Sequence, residues 1–343
     1  MSDIFLSIGI TTWNRSSYLK QCLKSIEDAL TDCKGDEKVE VIVLDNGSTD
    51  DTYEQLMLFE KRLPLRILRE SENICFIRGL LRCMEYAEGR YCWVLGDDEY
   101  ITGSLVQLIR QLKESDADIT LINHFFYIDE NDTPKYMMKD QNFLLKEPKG
   151  KYNNYEDYLK SAQHPNAFFT HVATAVFKKD LWNASFSGSI FERYKQSESM
   201  HTAVLLSILK RSKIAGYLGV QLIALRVGAS SPAWQDEDGR YHRFCIDVEY
   251  FPGMVRDVFG ENGIVSHFKA VMLRKSVYVL LLGSKIKHEF SAGFYIRIFR
   301  LLYRHYKTFP LFWYFIVPIL LTPRTILLPA YKLFFLSSRF SKV

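Results

Sequence analysis

The chain contains no CxxC pair, and its six cysteines, at 22, 33, 75, 83, 92 and 245, follow no regular spacing. That argues against a disulfide framework and for reduced, structural thiols of a cytosolic protein. Neither GxGxxG nor GxxxxGK occurs, so a dinucleotide fingerprint and a P-loop have no support. The apolar run at 309–321 stops at 13 residues and is broken by Pro310 and Pro318. A spanning helix needs about 20. The chain opens Met-Ser-Asp and enters an apolar stretch without a basic lead, so no signal peptide is expected. Acidic residues are scarce at one end only. Residues 251–343 hold 14 Lys or Arg against 3 Asp or Glu, which leaves a net −7 on the first 250 residues of a +4 chain. A basic tail on an acidic body points to an anionic surface as partner.

What is present is organised around residues 91–100, YCWVLGDDEY. Tyr91 to Leu95 form an apolar run that reads as a buried strand. Gly96, Asp97, Asp98 and Glu99 follow at its carboxyl end. Three successive carboxylates repel one another unless a cation or partner neutralises them, and ligands of open α/β sheets bind at that edge. The plainer reading is a solvated turn.

Upstream, strands are expected at 4–10, 39–44 and 65–68, alternating with helices reaching residue 30, at 51–61 and at 76–87. This is the pattern of parallel βαβ units. Polar loops follow each strand: Thr11, Thr12, Trp13, Asn14 and Arg15 after the first, then Asp45, Asn46 and Ser48 after the second. Right-handed crossovers gather them on one sheet edge. The resulting cleft is acidic and admits a phosphate ligand only if a divalent cation bridges the two. Trp13 reads as a half-buried anchor or a stacking platform. Arg15 reads as a phosphate ligand or a salt-bridge partner of Asp45 or Asp50, and Asn46 as a turn former. Downstream, a helix is expected at 105–112, a strand at 119–126, a long loop at 129–154, a short helix at 155–161, a strand at 168–177 holding His171, and one or two strands at 214–226. Glu198 and His201 sit near the start of a helix. The helix dipole keeps a Glu ionised there and disfavours a charged His, which suits a base. Residues 227–240, with Trp234, read as a lid.

In the last hundred residues Phe, Tyr, Ile and Leu interleave with Arg297, Arg300 and Arg304 at helical intervals. Interfacial helices on an anionic bilayer fit this pattern. A packed accessory domain, an oligomer interface and a re-entrant hairpin are the alternatives. The tail has no reader motif, so nucleic acid is not an expected partner.

The set Thr11–Arg15, Asp45–Asp50 (DNGSTD), Glu72-Asn73 and Gly96–Glu99 resembles the inverting family 2 glycosyltransferases of the GT-A fold over about residues 3–230. The GDDE form, the FFTH segment near 170 and the His-containing helix near 200 look like the bacterial enzymes of the abequosyltransferase-like type. These add a sugar, often a deoxyhexose, to lipid-linked O-antigen or other surface polysaccharide. The resemblance implies an α/β chain: a GT-A, Rossmann-like, mostly parallel sheet flanked by helices. A nucleotide-sugar half at 1–100 and an acceptor half at 101–240 precede a basic, aromatic-rich helical region at 241–343 that associates with the cytoplasmic face of the plasma membrane.

It also implies a nucleoside-diphosphate sugar as donor, with Mg2+ or Mn2+, and a lipid-linked saccharide as acceptor. Thr11 to Arg15 would contact the nucleobase or ribose, and Asp45, supported by Ser48, would accept from the base edge, with Asn46 also among the donor-binding residues. Asp97 would face ribose or diphosphate. Asp98 would ligate the cation with Glu99 close by. Glu198 would be the general base and His201 the second candidate, with His164, His171, Arg226 and Trp234 as further contacts. The pattern departs from the family at Gly96, where an Asp is usual, at Asn73-Ile74-Cys75 in place of Asn-x-Gly, and in lacking an ED pair. There is no QxxRW, so a processive synthase is not expected. A non-catalytic sugar-nucleotide binding protein and a nucleotidyltransferase of related fold are the competing readings.

Overall fold

A computed structural model describes residues 4–33, 38–130, 133–136, 144–226, 236–287 and 290–329. Two compact units divide after residue 229, each with its own apolar core.

The first unit is built on one sheet of ten strands. Four strands come from the first hundred residues: β1 (Ile4–Thr12), β2 (Lys38–Asp45), β3 (Leu65–Arg69) and β4 (Tyr91–Gly96). Between them run α1 (Ser16–Leu30), α2 (Thr52–Glu60) and α3 (Phe76–Tyr86). The apolar runs of β1, β2 and β4 are buried on both faces, as parallel strands under helices must be. In α1, Leu19, Cys22, Leu23, Ile26 and Ala29 are the buried stripe, the first four recurring at the helical spacing that reads as core in the sequence.

The remaining strands are β5 (Tyr100–Ile101), β6 (Ile119–Glu130), β7 (Thr133–Tyr136), β8 (Lys151–Tyr152), β9 (Ala175–Lys178) and β10 (Ala215–Arg226). The helices α4 (Val106–Ser115), α5 (Tyr155–Ser161), α6 (Lys179–Ala184), α7 (Ser189–Tyr194) and α8 (Met200–Arg211) accompany them. The sheet order is β3-β2-β1-β4-β9-β6-β10-β5, with β7 on β6 and β8 on β10. Pairing is parallel across β3-β2-β1-β4 and between β6 and β10, while β9 runs antiparallel to both β4 and β6. The chain fills one side of β1 with β2 and β3, then crosses to its other side with β4. That reversal opens a crevice at the carboxyl edge, between β1 and β4.

The strand expected at 168–177 is confined to Ala175–Lys178. Ahead of it the chain makes two tight 3-10 turns, Pro165–Phe168 and Val172–Thr174, with Phe169 in the left-handed region at φ 56°. Side chains fill the core there without a strand's alternation: Phe168, Phe169 and Ala173 are all buried. The loop expected at 129–154 carries the short strands β7 and β8. Residues 227–235 of the expected lid, Trp234 included, lie outside the described residues, and residue 237 already begins a helix.

The second unit is helical. Its helices are α9 (Glu237–Cys245), α10 (Phe251–Phe259), α11 (Gly263–Met272), α12 (Tyr278–Lys287), α13 (Ala292–Tyr306) and α14 (Val317–Leu321). Single π-helical turns at Ile246–Tyr250, Leu273–Val277 and Phe312–Ile316 interrupt the series. Phe244, Phe294, Ile298, Leu302, Tyr306 and Phe312 form the centre of its core. No helix among the described residues is long and apolar enough to cross a membrane.

Candidate active site

Register places the site. Thr12 lies beside Asp45, and Thr11 lies between Leu44 and Gly96. Parallel pairing therefore brings the loops after β1, β2 and β4 out at one level. They line a cleft of about 360 Å3 with Thr11, Thr12, Trp13, Arg15, Asn46, Asn73, Phe76, Gly96, Asp97, Asp98, Glu99, His171 and Val172.

Side chains tie the loops together. Asn14 takes a left-handed conformation at φ 51°. It donates its backbone N–H to Ser48 Oγ at 2.9 Å and accepts from Thr49 N at 2.7 Å. Asp45 is fully buried. Its Oδ1 accepts from Ser48 N at 2.9 Å, while Oδ2 has no partner in hydrogen-bond geometry and Arg69 Nε stands 3.3 Å away. Asn46 does more than form a turn. It donates Nδ2–H to Asn73 Oδ1 at 3.0 Å and accepts from Ile74 N at 2.9 Å, pinning the loop after β3 to the loop after β2. Trp13, 48 % exposed, and Phe76 stand at the cleft as solvent-facing aromatic rings.

The acidic loop has divided roles. Asp97 is buried and accepts from Thr12 Oγ1 at 2.8 Å. Arg15 pairs with neither Asp45 nor Asp50. Its Nη1 meets Asp97 Oδ1 at 2.8 Å and its Nη2 meets Asp98 Oδ2 at 2.6 Å. The guanidinium also lies over the Tyr18 ring, 4.9 Å from its centroid. Burial pushes the Asp97 carboxyl up to about 6, Arg15 opposing and Asp98 reinforcing.

Glu99 turns inward. Its Oε2 accepts from Gly96 N at 2.7 Å and its Oε1 lies 3.3 Å from His171 Nε2. Burial, with the neighbouring Asp98 charge, holds it well above the usual carboxylate range. This explains Gly96. A β-carbon there would stand 3.1 Å from Asp98 Oδ1 and 3.2 Å from Glu99 Cδ, so a side chain at 96 would crowd both carboxylates and force them to shift. Tyr127 closes the loop from β6 by donating its hydroxyl to Asp98 O at 2.7 Å.

The other expected residues divide between cleft and core. His171 lines the cleft, and the sequence placed it inside a strand. Burial pushes its pKa down to about 4, although 39 % of the side chain still meets solvent and moderates that depression. His164 caps a 3-10 turn by accepting from Asn166 N at 3.2 Å. Glu198 is exposed and is not among the residues lining the cleft. His201 is buried in α8, and burial, reinforced by His171, pushes its pKa down to about 4. Arg226 places its guanidinium 4.1 Å from the Tyr18 centroid and 5.2 Å from that of Tyr127. Sequence reading passed over Tyr18, Arg69, Phe76 and Tyr127. Tyr18 and Phe76 lie on helices whose apolar positions read as core, and Tyr127 sits one residue beyond the expected strand.

Among the described residues no group of three or more His, Cys, Asp or Glu converges on a point that could hold a metal ion. Asp98 alone turns a partly exposed carboxylate to the cleft, already neutralised by a cationic side chain. That donor set fits a hard cation such as Mg2+ or Mn2+ that keeps waters and shares substrate phosphate oxygens; it does not fit an all-protein cage.

Residues 7–185, more than half of the chain, match the glycosyl transferase family 2. The chain belongs to that family. It is 24 % identical to abequosyltransferase RfbV of Salmonella typhimurium over 285 residues, 79 % of this chain and 81 % of RfbV. Among solved structures it is similar to Staphylococcus aureus TarS 1–349 in complex with UDP-GlcNAc, with TM-score 0.63 and 14 % identity over 96 % of this chain and 92 % of TarS 1–349. It is also similar to the mannosyltransferase PcManGT of Pyrobaculum calidifontis in complex with GDP-Man and Mn2+, with TM-score 0.54 and 15 % identity over 90 % and 82 % of the two chains. The fold is that of the GT-A glycosyltransferases, and the protein is a family 2 glycosyltransferase similar in sequence to an abequosyltransferase.

Proposed function

We propose that this family 2 enzyme moves a sugar, with inversion, from a nucleoside-diphosphate donor to a hydroxyl of a lipid-linked saccharide in bacterial surface-polysaccharide synthesis. The observation that carries the reading is the acidic loop at the end of β4, facing the loops of β1 and β2 across one cleft. Asp45 Oδ2, buried beside Arg69 and without a donor in hydrogen-bond geometry, is assigned to the N–H of a nucleobase. Trp13 and Phe76 offer stacking surface at the cleft. Asp98 is assigned to Mg2+ or Mn2+, which when bound stabilises the departing diphosphate. Glu99 lies close by and holds the loop through Gly96 N.

For the general base, Glu198 and His201 stay as the expectations drawn from sequence, and His171 joins them because it lines the cleft. An exposed Glu198 requires a bound acceptor to enclose it. The helical unit is assigned to an anionic membrane surface. On α13 the exposed Phe299 and Tyr303 stack at 5.8 Å, and Tyr303 meets the exposed Trp313 at 6.1 Å. Arg300, Arg304 and Lys307 are exposed on the same helix end, the mixture that seats helices at a bilayer interface.

The test is a panel of sugar nucleotides with Mn2+, read by thermal shift and by nucleoside-diphosphate release in the presence of lipid-linked acceptor. One donor raising Tm and releasing its nucleotide supports the reading. A shift without release on any acceptor turns it into a binding protein, and no shift with any donor overturns the donor site.

A further inference from the structure

Arg15 stands where a cation would have to go. Its backbone is fixed as the first residue of the α1 turn, accepting from Tyr18 N at 3.1 Å and Leu19 N at 3.0 Å. From there two different nitrogens of one guanidinium reach two different carboxylates, Asp97 at 2.8 Å and Asp98 at 2.6 Å. The remaining oxygen of Asp97 is occupied by Thr12. Asp98 is the more open of the pair, yet its Oδ2 is held by the shortest contact in the cleft. A guanidinium is planar and bidentate, and it bridges two carboxylates at once in a way a point charge on a flexible stem does not.

We propose that Arg15 is a resident counter-cation: it occupies the Asp97–Asp98 pair in the empty enzyme, and it must leave Asp98 before a divalent cation can bind there. The inference rests on the assignment of Asp98 to the cation. The displaced guanidinium stays within reach of the cleft, held by its helix and by Tyr18. A diphosphate arriving with the metal supplies two things at that moment. Its oxygens would share the cation with Asp98 and would give the guanidinium a new anionic partner. Cation and diphosphate therefore assist each other, and by linkage the assistance is mutual. The metal alone binds weakly, because it competes with an ion pair already made. Such competition keeps the acidic loop partly neutralised and folded between turnovers without loading it with metal. It makes Arg15 a positioning residue for the donor, in addition to any contact it makes with phosphate.

The experiment measures Mn2+ alone, by the loss of the free-ion electron paramagnetic resonance signal, on the full chain and on Arg15→Ala, Arg15→Lys and Asp98→Ala. Thermal melts confirm that each variant is folded. Arg15→Ala is expected to bind Mn2+ about tenfold more tightly than the unaltered chain. Arg15→Lys, which keeps the charge but holds one carboxylate at a time, is expected to fall between, and Asp98→Ala to bind none. Added guanidinium chloride at tens of millimolar, a range set by ordinary weak ion pairing, should push the affinity of Arg15→Ala back down. Tetramethylammonium chloride at equal ionic strength should not.

An unchanged or weakened Mn2+ affinity in Arg15→Ala, with Asp98→Ala still null, overturns the counter-cation role and leaves the metal site standing. Equal reversal by both salts reduces the effect to net charge and overturns it likewise. If neither the unaltered chain nor Arg15→Ala takes up Mn2+, the cation site and the role of Arg15 fall together.

Discussion

Asp97 and Asp98 are neighbours with different surroundings. Asp97 is enclosed by Thr12 and Arg15, whereas Asp98 is partly exposed at the cleft with its Oδ2 held by Arg15. Asp98→Ala is expected to lower kcat by at least roughly a hundredfold while leaving Tm near its original value, because it removes charge stabilisation of the leaving group and little packing. A melt shifted as strongly as the rate would reassign Asp98 to folding. His201 makes a different kind of statement. Burial holds its folded pKa near 4, against an ordinary value near 6.5. Neither ring nitrogen has a partner in hydrogen-bond geometry, although the Thr170 backbone offsets part of that burial. Below pH 6.5 the unfolded chain binds a proton that the folded chain refuses, so stability falls as pH drops from 6.5 to 4. Asp97, with its pKa raised to about 6, works the other way: it favours the folded state at acid pH and loses that contribution as pH rises toward 6. His201→Leu isolates the first effect. It should flatten the acid limb of Tm against pH and recover up to about 3 kcal/mol at pH 4.

The elements show why some of this was readable from sequence and some was not. Strands β1, β2 and β4 declare themselves because parallel strands buried on both faces are unbroken apolar runs, and the polar loops that follow them stand out. Thr11 to Arg15, Asp45 to Ser48 and Asp97 to Glu99 were found together for that reason. The partnerships among them were not legible. For Arg15 the sequence suggested phosphate, Asp45 or Asp50, whereas the position of the α1 turn brings it to Asp97 and Asp98. The segment at 165–178 misleads for a physical reason. Phe168, Phe169 and Ala173 are apolar because they fill a core, and 3-10 turns leave no periodic trace, so His171 seemed to sit in a strand when it borders the cleft.

Two packing contacts of these elements carry tests. Gly79 of α3 lies against the end of β1, and a β-carbon there would sit 2.5 Å from Thr11 Oγ1 and 3.0 Å from Leu44 Cδ2. Gly79→Ala should cost about 1–3 kcal/mol by overpacking and raise the donor KM, since Thr11 is the atom displaced. Trp93 of β4 is fully buried and donates Nε1–H to Ala173 O at 2.8 Å. Trp93→Phe strands that carbonyl and leaves a gap, so urea unfolding should register a loss of about 2–4 kcal/mol.

At the scale of the whole molecule the two units have separate cores and opposite charge. The aromatic surface of the helical unit is the feature to test. Tyr314 is 77 % exposed, and Trp313 and Phe315 flank it on the same π-helical turn. Replacing Trp313 and Tyr314 by Ser should lower co-sedimentation with phosphatidylglycerol vesicles by at least roughly tenfold, with soluble turnover on a short acceptor unchanged. Equal sedimentation would remove the bilayer from the list of partners.

The place of β10 in the sheet has a consequence for how the protein is made. Its Ile223 and Ala224 pair with Ile101 and Tyr100, and its whole length lies along β6. At synthesis rates of about 5–20 residues per second, roughly 6–25 s separate the emergence of Ile101 from that of Arg226. Through that interval β5 and part of β6 are translated edges with no partner yet on the ribosome, the condition in which strands pair with the wrong neighbour. Codon choice between residues 101 and 226, or a chaperone that covers the nascent sheet, should therefore govern soluble yield more than changes to the completed fold do.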